Sequence, residues 1–278
     1  MWQQSTFISS KNYQCVASGL FHDRAKANVI FLHGWGDHAG RYFSVGEALH
    51  EAGYNILIPD LPGHGRSGGP AARVDDFLEL EADLGCFLDS LVLSKPIVLC
   101  GHSMGGTLAF HYSIKNPLRI ESVIFNSAAL TINPRIPLIK RLIAKALGAW
   151  LPHIKVAQLK TAEMMTSLPS EISAFNNDNL LYHGRIEAAT GRTLMNANQW
   201  VTKNFHVYPV PFLALQGDND DLVNPAGPQL LMDKSPVLEK QLQLYKGSRH
   251  DLFHDFSAEQ VIGDINKWLE SRFGKVGA

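Results

Sequence analysis

Cysteine is scarce in this chain: 278 residues hold three, Cys15, Cys86 and Cys100, and two of them sit in apolar runs. An odd number, with two of the three in apolar runs, argues against a disulfide framework and fits a reducing, cytoplasmic setting. Met1 to Gly19 lacks the basic-then-apolar order of a secretory leader, and no segment reaches roughly 18 consecutive apolar residues, as a spanning helix needs. Excess charge of either sign is missing too. A formal net charge of -1, with 18% charged and 45% hydrophobic residues, leaves no basic footprint for nucleic acid. There is no internal repeat, no low-complexity tract and no H-E-x-x-H or comparable ligand spacing, so neither metal nor cofactor is expected. His33, His38 and His64 are accordingly read as structural.

What is present, from residue 27 on, is an alternation of short apolar runs with helix-period segments, the pattern of a mostly parallel sheet with crossover helices. Val29–Leu32, Tyr54–Ile58 and Pro96–Cys100 are branched-rich and apolar on both faces, as strands covered on both sides must be. Glu121–Phe125, Val210–Leu215 and Lys240–Tyr245 extend the series, and Ala258–Phe273 closes it as an amphipathic helix. The residues before 27 read as an antiparallel hairpin turning at Lys11-Asn12. Between about 130 and 207 the period changes to helical. The expected organisation is therefore a core formed by residues 1–129 and 208–278, interrupted by a helical lid at 130–207.

Gly101-His102-Ser103-Met104-Gly105 fits G-x-S-x-G and stands between a strand and a helix. A sharp turn there holds a serine hydroxyl proud of the sheet, and flanking glycines avoid collisions with neighbouring chain. The helix that follows aims free N–H groups at the reaction centre, which makes the Met104 N–H an oxyanion donor. Serine needs a base, and in such a fold the order is serine, acid, histidine. Only His250 and His254 lie beyond the last plausible acid, and His250, in the loop after the final strand, is preferred. For the acid, Gln216 to Val223 offers Asp218, Asp220 and Asp221. Turn spacing selects Asp220, with Asp221 the competitor.

These residues resemble the monoacylglycerol lipase and lysophospholipase branch of the α/β hydrolases, also described as serine aminopeptidase-like hydrolases. The resemblance runs from about residue 27 to the final helix. It is carried by His33-Gly34-Trp35-Gly36-Asp37-His38-Ala39-Gly40-Arg41-Tyr42, by Asp60-Leu61-Pro62-Gly63-His64-Gly65-Arg66-Ser67, and by the serine motif extended to Gly106. It implies the α/β-hydrolase fold, carboxylic-ester hydrolysis, and the Trp35 N–H as second oxyanion donor. Asp37 stands where the branch usually has glutamate, and it is expected to keep a loop-ordering role. Asn177–Arg185 is similar to the branch's lid motif, with Asn179 where proline is common.

Within the lid, Leu138, Ile139, Leu142, Ile143, Ala146, Leu147, Trp150 and Leu151 recur at helical spacing, with Lys140, Arg141 and Lys145 on the other face. Such a helix either roofs the pocket or dips into a membrane interface. As a roof it makes Ile139, Leu142, Ile143, Ala146, Leu147 and Leu151 candidate acyl contacts. Apolar burial favours a lipid-like ester, because each methylene contributes about 0.8 kcal/mol and a peptide would bring polar groups needing partners. Monoacylglycerol is the first expectation, lysophospholipid the second and peptide the third; a non-catalytic binding protein of the same fold is the alternative from another class.

Overall fold

The computed structural model describes residues 1–133 and 138–274, without the side chains of Leu138 and Lys140; residues 134–137 of the expected lid lie outside the description. Strands β1 (Gln3–Ile8) and β2 (Gln14–Leu20) form the antiparallel hairpin, turning through Asn12 at φ 63°, a conformation asparagine tolerates. The branched runs become β3 (Asn28–Leu32), β4 (Asn55–Pro59), β5 (Ile97–His102) and β6 (Ser122–Asn126). The crossovers between them carry α1 (Phe43–Glu51), α2 (Phe77–Asp89) and α3 (Met104–Lys115). Helix α2 begins at Phe77, where Asp76 caps it by accepting from the Leu78 N–H at 2.9 Å.

Between β6 and the next sheet strand lie α4 (Leu138–Trp150), β7 (Lys155–Ala157), α5 (Ala162–Met165), α6 (Pro169–Asn177), β8 (Ile186–Glu187) and α7 (Ala188–Asn204). The β7–β8 ribbon, absent from the helical reading, is too short to leave a periodic signal. The sheet resumes with β9 (Phe212–Gly217), followed by α8 (Gly227–Lys234), β10 (Lys240–Tyr245) and α9 (Ala258–Phe273).

The sheet order is β1-β2-β4-β3-β5-β6-β9-β10, parallel from β4 to β10. Side chains alternate between its faces. Ile30, Leu99, Val123 and Phe212 pack under Leu84 of α2, Leu108 of α3 and Leu231 of α8. Val29, Val98, Ile124 and Leu213 pack against Leu49 of α1 and Ile265 and Leu269 of α9. Burial on both faces explains why the central strands carry consecutive apolar residues through their middles, as in Val29–Leu32 and Val123–Phe125.

Helix α4 departs from the expected roof. It packs on α7 through Gly148, which lies against Ala188 and Arg192, while Lys145 bonds Gln199 of α7 at 2.9 Å. Gly148 and Lys145 thus face α7, and the apolar ridge faces outward. Ile139 (63% exposed), Leu142, Ile143, Ala146 and Trp150 (85%) face solvent, as does Leu151.

Candidate active site

Strand β4 pairs with one side of β3 and β5 with the other, so the connections leave β3 in opposite directions and open a crevice at its carboxyl end. Two segments meet there. Ser103, between β5 and α3, has φ 52° and ψ −116°, a strained conformation that few side chains adopt. The turn is tight enough that a Cβ on Gly101 would sit 2.4 Å from the Gly105 carbonyl oxygen, and one on Gly105 2.0 Å from that of Leu32. These backbones cannot separate, so the motif requires glycine at both positions. The loop after β3 touches the serine directly: a Cβ on Gly34 would lie 3.3 Å from the Ser103 Cβ. Met104, as first residue of α3, has an N–H with no intrahelical acceptor.

The histidine and the acid come from the loops after β10 and β9. His250 Nδ1 lies 2.7 Å from Asp220 Oδ2, with both side chains buried. Asp220 is held by more than the imidazole: Gln216 Nε2 donates to Oδ2 at 3.0 Å, and the Leu222 and Val223 N–H groups donate to Oδ1 at 2.8 and 3.0 Å. Burial opposes its ionisation, yet the charge and hydrogen bond of His250 and these donors hold its carboxyl below the usual value. The competing groups go elsewhere. Asp218 is exposed and accepts from the Gly247 N–H, Asp221 is exposed, and His254 Nδ1 pairs with Asp251 Oδ2 at 3.0 Å.

Ser103, Met104, Trp35 and His250 line one cavity of about 150 Å³, walled by Met165, Ile186, Leu194, Met195, Leu222 and Val223. None of the six proposed acyl contacts, Ile139, Leu142, Ile143, Ala146, Leu147 and Leu151, reaches it. The insertion supplies the wall through α5, β8 and α7 instead, because α4 docks on α7 through Gly148 and Lys145. Trp35 packs edge-on against Tyr182, and its indole N–H donates to the Ala72 carbonyl at 2.7 Å.

A buried polar cluster flanks the cavity. Asp37 accepts from the His38 N–H and the Tyr42 hydroxyl, each at 2.9 Å. Arg41 reaches both Asp37 (3.4 Å) and Asp251 (2.6 Å). His38 Nε2 bonds Asp178 Oδ2 at 2.8 Å, tying the insertion to the core, while Nδ1 accepts from the Gly40 N–H. Burial drives His33 down to about 4, His64 to about 3 and His102 to about 4. His33 Nε2 therefore accepts from the Leu61 N–H as a neutral ring. Among the described residues no group of three or more His, Cys, Asp or Glu could hold a metal. Nothing local in the sequence marks Asp251 and Lys160 as buried, since a lone charge carries no sign that folding will cover it.

The family described as Hydrolase_4, serine aminopeptidase S33, matches residues 23–257. A rat monoglyceride lipase is 31% identical over 259 residues, 91% of this chain and 85% of its own length. A Mycolicibacterium smegmatis monoacylglycerol lipase is 29% identical over 246 residues, 87% of this chain and 88% of that one. Among solved structures, the Paleococcus ferrophilus monoacylglycerol lipase superimposes with a TM-score of 0.82 at 25% identity, covering 98% of this chain and 99% of that one.

Proposed function

The chain belongs to the serine aminopeptidase S33 family and is a carboxylic-ester hydrolase of the α/β-hydrolase fold; on that premise we propose that it cleaves monoacylglycerols through an acyl-enzyme on Ser103. One observation carries the reading: a serine on a strained strand-to-helix turn shares an apolar cavity with a buried histidine whose other nitrogen is held at 2.7 Å by a buried aspartate. Ser103 Oγ attacks the ester carbonyl while His250 Nε2 takes its proton. Asp220 fixes the imidazole tautomer and stabilises the imidazolium. The Trp35 and Met104 N–H groups receive the oxyanion. Glycerol departs with the proton from His250, and water repeats the sequence to release the fatty acid.

Residues 130–207 serve as the lid. Its outward ridge of Ile139, Leu142, Ile143 and Trp150 is a peripheral membrane contact, since a soluble helix normally turns such a stripe inward. No described helix is long and apolar enough to cross a membrane.

Hydrolysis of monoacylglycerol, lysophosphatidylcholine and an aminoacyl arylamide by the purified protein tests the reading. Monoacylglycerol is expected to give fatty acid and glycerol in equal amounts, and Ser103→Ala to lower turnover by roughly 10⁴ or more. A fluorophosphonate should label the wild type and not the variant. Near wild-type turnover in Ser103→Ala, or arylamide cleavage without ester cleavage, would overturn it.

A further inference from the structure

Lys160 is a buried cation in the cavity that the chemistry above does not use. It follows β7, is 7% exposed and lines the same cavity as Ser103. Its Nζ donates to the Gly36 carbonyl at 3.1 Å and sits over the Phe175 ring, 5.3 Å from the centroid. That carbonyl also accepts the Tyr182 N–H at 3.0 Å, so two groups of the insertion grip one atom of the core.

The gripped atom belongs to a turn. The Asp37 N–H donates to the Gly34 carbonyl at 3.3 Å, closing Gly34-Trp35-Gly36-Asp37, with Gly36 at φ 66° as the third position demands. Trp35 is the second residue of this turn, and the direction of its N–H follows from the turn's orientation. We propose that Lys160 is a positioning residue for the oxyanion hole: its ammonium holds the Gly36 carbonyl, so that the Trp35 N–H is aimed at the reacting carbonyl only while the insertion is seated on the core. This rests on Ser103 as nucleophile and Trp35 as donor.

Charge matters to the grip, because a hydrogen bond from an ionised donor is roughly twice as strong as a neutral one. The groups facing Lys160 are Asp37 and Arg41 beside the turn, Asp178 after α6, Asp251 after β10, and His33 and His64 in the core loops. Burial lowers the ammonium to about 8, against the raising effect of Asp37. The ammonium is present below that pH and lost above it, so the rate should fall as pH rises through about 8.

The test compares wild type, Lys160→Met and Ser103→Ala on a soluble short-chain ester between pH 7 and 10, with folding followed by circular dichroism. Methionine keeps an apolar stem against Phe175 and removes the donor. The expected result is a loss in kcat of about 10²-fold, as for removal of an oxyanion donor, with KM changed less than about threefold on the same reasoning. The descending alkaline limb of the wild type should be absent from the variant. A purely structural role would lower thermal stability and leave that limb in place. A folded wild type with a level kcat from pH 7 to 10 overturns the proposal without any variant. So does Lys160→Met with near wild-type kcat, or with the limb retained. Activity in Ser103→Ala would bring down the underlying reading as well, whereas an inactive Ser103→Ala beside an unaffected Lys160→Met removes the positioning role alone.

Discussion

At the scale of single residues, the choice of acid has consequences that two substitutions separate. Asp220 is buried and receives four hydrogen-bonding partners, His250 among them, whereas Asp221 is exposed. Asn at 220 keeps the shape but favours the wrong imidazole tautomer, so Asp220→Asn is expected to lower kcat by roughly 10⁴. Asp221→Asn should stay near wild type. Steady-state kinetics on one ester checks both, and a large loss at 221 with none at 220 would reverse the assignment. The same reasoning sets His254 apart from His250. Burial works against protonation of His254, yet Asp251 keeps it above its ordinary value, as an ion-pairing group is kept.

At the scale of elements, α4 shows why an amphipathic period does not by itself name the side that is buried. Its stripe is legible in the sequence, but Gly148 allows close approach to α7 and Lys145 finds Gln199 there, so the ridge is left outside. A surface of this kind gains by entering the acyl boundary, at about 1.5–3 kcal/mol for each large side chain fully buried. Replacing Ile139, Ile143 and Trp150 singly with serine is expected to weaken binding to lipid vesicles by about tenfold each, with little effect on folding. Hydrolysis of a water-soluble ester should be unchanged. Co-sedimentation with vesicles measures the first outcome; undiminished binding of all three variants would exclude the ridge as the contact.

Across the whole molecule, the same burial that builds the site ties stability to pH. His33, His64 and His102 are held near 4, 3 and 4, below the ordinary histidine value of 6.5, so the unfolded chain binds protons that the native state refuses. Stability is therefore expected to fall as pH drops below about 6.5. The carboxylates of Asp37, Asp220 and Asp251, all held below their usual values, extend the loss below about 4. His254, raised by Asp251 against its burial, contributes with the opposite sign, and three rings outweigh one. Thermal unfolding at pH 7.5, 6 and 5 should give a steadily falling midpoint; a rising one would contradict this balance. The doubly covered sheet, the hairpin at Asn12 and the serine turn were legible in the chain because each depends on neighbours a few residues away: alternating burial, a tolerated positive φ, glycines that no side chain can replace. Folding alone decided the outward face of α4, the β7–β8 ribbon, and the burial of Asp251 and Lys160 beside the cavity. Those depend on what lies across from a residue, and one strand of local pattern carries no information about the surface it will meet.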